Sequence, residues 1–440
     1  MIELLPLLFP INNSLIYSQN PAPIIENYQV QPLPGELNRI PVFNSNSPEL
    51  VLSEGILLST FSADNKANPE AHLDYSFEGR FDLFAHHVAK ARDDNDLQTL
   101  YIGILINNPT DETVTIDLLQ GASYLSQPDA PFVKMPPQVE SKDVYAGPGS
   151  RVMGEILQNK LQDGFPRQIT LKAGESKMLM NAPIPVQELV PKINGRSTYL
   201  RLNSDGKVNI ASLAMYGDGE KTPPSLQQWQ NLLTSGELSA PRDLAPTPPN
   251  EGGRIIYGRV AGVSIGSVWE SKLLDDRTSK FLTIPTSGDT FAYGLSTLRG
   301  GTFGTGQIQT APMAVRYPDT AYSAHGNYGV EYSVQIPLSN PTNETKTVDI
   351  AISSPVKTDL NQVRFETSTA VVFRGLVQVK YYDEQGKYKV KYVHLVQNRG
   401  DKAQPILSID IPPQQNKNVS VNFLYPPDAT PPQILTITTR

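Results

Sequence analysis

Asn108-Pro109-Thr110-Asp111-Glu112-Thr113-Val114-Thr115-Ile116-Asp117-Leu118 returns 232 residues later as Asn340-Pro341-Thr342-Asn343-Glu344-Thr345-Lys346-Thr347-Val348-Asp349-Ile350, identical at seven of eleven positions. Each copy follows a run with an apolar residue at every second position: Ile102, Ile104 and Ile106 in one, Val334, Ile336 and Leu338 in the other. That period belongs to strands with one buried face. Asn at the first turn position and Pro at the second then favour a chain reversal. The pattern predicts a hairpin in each half of the chain. A weaker echo lies downstream, where Ile169, Leu171, Lys177 and Leu179 match Ile409, Ile411, Lys417 and Val419 around the polar turns Ala173-Gly174-Glu175 and Pro413-Gln414-Gln415. Convergence on common turn sequences competes with duplication as the explanation; two echoes in the same order and at nearly the same offset favour duplication.

A chain of 440 residues exceeds what one ordinary core supports, so two domains are expected. The composition changes over residues 217–253, which contain Pro223-Pro224, Ala245-Pro246-Thr247-Pro248-Pro249 and Gly252-Gly253. This is the expected linker. Inside it, Ser225-Leu226-Gln227-Gln228 has the form of a capping box, and Leu226, Trp229 and Leu233 share a helical face that ends at Gly236. A second helix is predicted from Ser150 to Gln162, with Val152, Met153, Ile156, Leu157 and Leu161 as its apolar stripe and Gly164 as its stop. Strands are expected at 370–373, 376–382 and 387–395, the last two separated by the turn Asp383-Glu384-Gln385-Gly386. The expected fold is all-β: two tandem antiparallel β-sandwich, Ig-like domains at residues 31–216 and 254–440, with a few short helices.

Charged residues are 18% of the chain, below the roughly 25% of ordinary soluble proteins. The net charge of -7 and the lack of a dense Lys/Arg run argue against a nucleic-acid partner. Cysteine is absent, which excludes disulfides and thiolate chemistry. Residues 1–30 form an expected leader. Leu4 to Ile11 is apolar and precedes a polar, Pro-containing segment, as in the later part of a secretory signal, with Ser18 as a cleavage position. A cationic start is missing, and a short buried segment is the competing reading. No later run reaches the length of a membrane span, so no transmembrane anchor is expected.

Complete catalytic motifs are not found. His86 and His87, as neighbours on a strand, point to opposite faces and are poorly placed to share a metal ion, so no metal site is assigned. Asp93-Asp94-Asn95-Asp96 lacks the Gly and distal Glu of an EF-hand loop; it reads as a solvated loop, with opportunistic calcium binding left open and no cofactor assigned. Gly121-Ala122-Ser123-Tyr124-Leu125 has Leu where a nucleophile elbow needs Gly, and Arg299 to Gly306 lacks the ending of a phosphate loop. Ser150 reads as the N-cap of its helix, while Gly147-Pro148-Gly149-Ser150 also offers backbone N–H groups to an anion. The segment Arg316 to Tyr332 gathers aromatic and polar residues. Tyr317, Asp319, Tyr322, His325, Asn327 and Tyr328 are its candidate saccharide-binding residues; packing of these tyrosines across a sandwich is the competing reading.

Several runs resemble a family of cyanobacterial exported proteins built around a domain of unknown function, number thirty-three-seventy. They are Val42 to Glu49, Glu54 to Phe61, Glu78 to Asp82 with His86-His87, Ala122 to Phe132, Val144 to Arg151, and Arg316 to Tyr332. The resemblance runs from Leu33 onward. It implies export and supplies no catalytic motif. The expected role is a non-catalytic binding or structural protein of the envelope or extracellular matrix, in the periplasm, outer envelope or medium, with polysaccharide or other surface proteins as partners. Two alternatives stand beside it: an envelope polysaccharide-modifying enzyme with carboxylates between the domains, and a subunit of a larger surface assembly.

Overall fold

The computed structural model describes residues 24–26, 29–93, 95–96, 98–217, 222–360, 362–366 and 368–440. The apolar stretch at Leu4 to Ile11, the Ser18 position and Asp94 of the acidic run lie outside the described residues. Strands take 47% of the chain and helices 6%, so strand pairing determines the architecture.

The two Asn-Pro-Thr corners stand in the same surroundings. Asn108 Nδ2 donates to the carbonyls of Glu112 (2.6 Å), Leu171 (3.2 Å) and Lys172 (3.0 Å), while its Oδ1 accepts from Thr110 N (2.9 Å) and Thr110 Oγ1 (2.7 Å). Asn340 repeats this with Glu344 (2.8 Å), Ile411 (2.8 Å), Pro412 (3.2 Å), Thr342 N (3.0 Å) and Thr342 Oγ1 (2.7 Å). Both Asn residues are fully buried. The weaker echo therefore supplies the acceptors for the stronger one, since Leu171 and Ile411 are the ends of its matched strands.

The predicted hairpins are not formed. Strand Leu100–Asn107 pairs with Ser176–Ile184 and the second part of Ile193–Tyr216, whereas Val114–Leu125 pairs with Gln168–Leu171 and the first part of Ile193–Tyr216. Likewise Glu331–Asn340 pairs with Gln415–Leu424 and Val268–Lys272, while Lys346–Ser353 pairs with Leu407–Ile411 and Gln433–Thr439. Each corner is an arch that carries the chain from one sheet to another. The Asn amide holds the arch open by bonding a third strand, and the two joined strands bury their apolar faces in one core. Ile104, Ile106, Val114 and Ile116 share the N-terminal core; Val334, Ile336, Val348 and Ile350 share the C-terminal one.

The halves exchange strands. Val30–Gln31 runs beside Thr290–Leu295, and Glu36–Leu37 beside Val268–Lys272, so the N-terminal segment extends sheets of the C-terminal half. In return, Ala261–Ile265 joins Pro41–Ser45, which pairs with Phe77–Lys90 of the N-terminal half.

Two helices cover sheet faces. Helix α1, Pro148–Leu157, starts two residues earlier than expected: Gly147 at φ 100° is its N-cap, and Ser150 sits inside the first turn with its hydroxyl on the Gly147 carbonyl (3.0 Å). It stops short of Leu161 because Asn159 takes the left-handed conformation at φ 59°, a C-terminal stop Asn serves as well as Gly. Its buried side chains Val152, Met153 and Ile156 pack with Tyr124 and Tyr199 of one half and Leu376 and Leu424 of the other. Helix α2, Leu226–Ser235, has the full capping box of Ser225 and Gln228. Trp229 and Leu233 are buried against Tyr101, Leu105 and Leu213, which explains why Leu100–Asn107 is buried on both faces; Leu226 stays partly exposed.

Candidate functional site

Of the six residues singled out from Arg316 to Tyr332, Tyr317 and Tyr328 reach the N-terminal half, at Ser59 and Ala71 and at Phe84, and the other four bond within the linker and the C-terminal half. Tyr317 is fully buried, donating its hydroxyl to Ala71 O (2.8 Å) and accepting from Ser59 N (3.0 Å). Asp319 takes a two-pronged bond from Arg242, both contacts at 2.8 Å. The Tyr322 ring lies 3.8 Å from the Arg316 guanidinium carbon, and His325 packs 4.9 Å from the Tyr257 ring, where burial pushes its pKa down to about 4. Asn327 is buried and donates to Gln309 O (2.8 Å) and the Tyr332 hydroxyl (3.1 Å). Tyr328 donates to Ala429 O (3.1 Å) and stacks on Tyr425. Most of their polar atoms are thus engaged within the protein, and none of the six lines either cleft described below.

The seam is ionic. Arg259 bonds Glu49 (2.8 Å) and Asp243 (2.9 Å), Asp243 also accepts from Ser47 (2.7 Å), and Arg201 bonds Glu331 (2.7 Å). Fully buried Asp82 receives the Tyr199 hydroxyl (2.7 Å) and pairs with Arg80; the same hydroxyl reaches Gly329 O (2.9 Å). Burial alone would raise the Glu49 carboxyl, but His86 and Arg259 outweigh it and hold it below its ordinary value. The backbone N–H groups at Gly147 to Ser150, which could also have served an anion, meet the chain's own carboxylate: Asp428 accepts from Ser150 N (3.0 Å), and its carboxyl is raised, chiefly by burial. His86 and His87 do point apart, one to Ser197 Oγ (2.8 Å), the other to Ser45 Oγ (2.9 Å) and Pro48 O (2.9 Å).

Among the described residues are two open clefts. The larger, about 560 Å³, lies beside the turn of the hairpin formed by Val371–Tyr382 and Tyr388–Asn398, and is lined by Tyr381, Asp383, Gln385, Ser408, Asp410 and Arg440 among others. It combines one aromatic face with hydroxyl, amide and carboxylate groups. Asp383 accepts backbone N–H bonds from Gln385 (3.0 Å) and Lys387 (2.8 Å). The Lys387 bond foremost, with help from Lys389, keeps its carboxyl below the usual range, so it is ionised at neutral pH and unsuited to donate a proton. Asp410 accepts from the Thr347 hydroxyl (2.5 Å). The smaller cleft, about 320 Å³, runs along strand Ser176–Ile184. On its wall Arg196 bonds Pro183 O (2.9 Å) and Ser123 Oγ (3.0 Å), and burial pulls its pKa to about 10.

Sequence reading marked 383–386 as a turn and missed its setting. The available signal was Lys387-Tyr388-Lys389-Val390-Lys391-Tyr392, where large apolar residues alternate with lysines and Tyr388 and Val390 remain exposed.

An all-β molecule with exchanged strands, an ionic seam and a polar-aromatic cleft at a hairpin tip is the class this geometry defines. The chain belongs to the family described as "Protein of unknown function (DUF3370)", which it matches over residues 28–439. No curated protein matches it. Among solved structures, that of the Macrobrachium rosenbergii nodavirus is 11% identical, covering 100% of this chain and 96% of the other at a TM-score of 0.13. Procruciferin, an 11S globulin from Brassica napus, is 9% identical, covering 90% and 87% at a TM-score of 0.11. Overlaps so slight carry no argument about this chain.

Proposed function

We propose that this chain is a non-catalytic binding or structural protein of the cyanobacterial envelope or extracellular matrix, located outside the cytoplasm and associated with polysaccharide. Its frame in this reading is two Ig-like antiparallel sandwiches, residues 31–216 and 254–440, joined by 217–253. The observation that carries it is the hairpin-tip cleft, where Tyr381 offers a ring face and Gln385, Ser408 and Asp410 offer hydrogen-bonding groups of the kind hydroxyl-rich ligands need. The enzymatic alternative needs a carboxyl kept protonated beside an ionised one in an accessible site. Asp383 is held ionised, and Glu49, Asp243, Asp319 and Glu331 of the seam are each paired with an arginine.

The assembly alternative draws support from strand Ser176–Ile184, whose one strand partner among the described residues is Leu100–Asn107. A free edge invites strand addition.

The test is retention on immobilised envelope and capsular glycans, comparing wild type with Tyr381→Ala. Retention reduced at least tenfold by the substitution is expected; no retention of any glycan by the wild type would contradict the reading. Fractionation of cells with N-terminal sequencing of the mature chain tests export in parallel, and recovery of the uncleaved chain in the cytoplasm would contradict it.

A further inference from the structure

The eight-stranded sheet has one face in the core and one turned away from it, on which Gln378, Ser420 and Asn422 are nonetheless buried. Val334, Val377, Val379, Val393 and Val421 point inward. Their neighbours point the other way, and the register aligns Lys272, Gln335, Ser420, Lys380 and Val390 in a single row across five strands. The adjoining row, Glu270, Ser333, Asn422, Gln378 and Tyr392, is knitted by side chains: Ser333 Oγ to Asn422 Oδ1 (3.0 Å) and Gln378 Nε2 to the Tyr392 hydroxyl (2.7 Å). Toward the hairpin tip this face ends in Tyr382 and Tyr388, cross-strand partners with ring centroids 5.5 Å apart. Helix α1 covers the opposite end, at Leu376 and Leu424.

The uncovered part has a definite chemistry. Tyr382 is 48% exposed, Tyr388 51% and Val390 42%, a cluster that solvent alone does not favour. Lysines facing the other way have carboxylates, Lys389 with Asp383 (3.4 Å) and Lys391 with Glu140 (3.1 Å). Lys380 and Lys272 carry no ion pair among the described residues. Glu270 stands two residues from Lys272 on the same strand and face, and three strands from Lys380, or roughly 14 Å at sheet spacing. The face is therefore cationic and aromatic around Lys380, Tyr382 and Tyr388, in a chain of net charge -7, with Lys272 flanked by Glu270 at the other side.

We propose that this face is a docking track for an anionic polysaccharide, with sugar rings against Tyr382 and Tyr388 and acid groups at Lys380 and Lys272. Flat stacking and charge-assisted hydrogen bonds from lysine are the two interactions such a polymer requires at once. The inference rests on the polysaccharide reading above and adds to its cleft a second contact surface with one charge class.

Affinity electrophoresis of the full chain through gels containing polygalacturonate, dextran sulfate or uncharged dextran tests it, with thermal melts confirming that each variant is folded. Expected is retardation by the acidic polymers and not by dextran, weakened by added salt. Tyr388→Ala and Lys380→Glu should each weaken it at least tenfold, while Lys207→Glu, an exposed position of the N-terminal half, leaves it unchanged. Polygalacturonate acting without dextran sulfate would assign carboxylate, and the reverse sulfate. Equal retardation by dextran, or retardation lost in Tyr381→Ala and kept in Lys380→Glu, overturns the track while leaving glycan binding standing. No retardation by the acidic polymers alongside retention on envelope glycans also overturns the track alone; no binding to any glycan overturns both.

Discussion

Asn340 concentrates the physics of the corner in one side chain. Its amide satisfies carbonyls on two segments, and its oxygen orders Thr342 in a fully buried position. Asn340→Ala should destabilise the chain by about 3 kcal/mol, the cost of leaving buried backbone groups unpaired, as read by urea unfolding. Asn108→Ala should cost a similar amount because its network is the same. A loss below about 0.5 kcal/mol, the scatter of ordinary surface substitutions, would show that the amide is not the staple. The corner was legible in the sequence because Asn-Pro-Thr is a turn signature with a local mechanism. Its partners Leu171 and Ile411 were not, because they lie 63 and 71 residues away and alternation carries no information about which strands pair.

His394 makes a second prediction. It is buried, neither ring nitrogen has a hydrogen-bond partner among the described residues, and burial pushes its pKa down to about 4. An unfolded histidine titrates near 6.5, so between about pH 6.5 and 4 the unfolded chain holds a proton that the folded chain refuses. The stability this residue contributes is complete above that window and falls by up to about 1.4 kcal/mol per pH unit within it. His72, His87 and His325 are shifted the same way. Urea titrations at pH 7, 6 and 5 should show the decline, with a shallower slope in His394→Leu; identical slopes would contradict the assignment.

Helix α2 shows how an element's place follows from one close contact. Gly103 lies beneath Trp229, and a Cβ there would sit 2.7 Å from the indole. Gly103→Ala should therefore cost about 1–3 kcal/mol by overpacking, and Trp229→Ala about 3–5 kcal/mol by opening a cavity. Thermal melts check both, and a neutral Gly103→Ala would mean that the helix is free to shift. The capping box and apolar face of α2 were readable because both are local. The end of α1 falls short of Gly164 because Asn159, five residues earlier, already takes the left-handed conformation; Gly164 has a positive φ of its own in the loop that follows. The hairpin-tip cleft is not legible in the sequence for another reason: its walls come from Thr347, Tyr381, 383–385, 408–410 and Arg440, which only the fold brings together.

For the molecule as a whole, the repeated corners suggest two separable units, but the strand exchange ties them together. Ala261–Ile265 extends the sheet of the N-terminal half, Val30–Gln31 and Glu36–Leu37 extend sheets of the C-terminal half, and α1 packs on both. Seam ion pairs add to this, since removing Arg259 leaves Glu49 and Asp243 without their shared cation. Arg259→Ala is expected to lower the melting temperature of the entire chain. Two of the six candidate residues, Tyr317 and Tyr328, belong to this seam: a buried tyrosine can bridge halves as readily as it can bind a sugar.

Scanning calorimetry of wild type and Asn340→Ala tests most directly whether the halves, each with its own corner, form one cooperative body. A single transition in both proteins, displaced as a whole to lower temperature by the substitution, is the predicted result. Two transitions, with only one moved by Asn340→Ala, would contradict it.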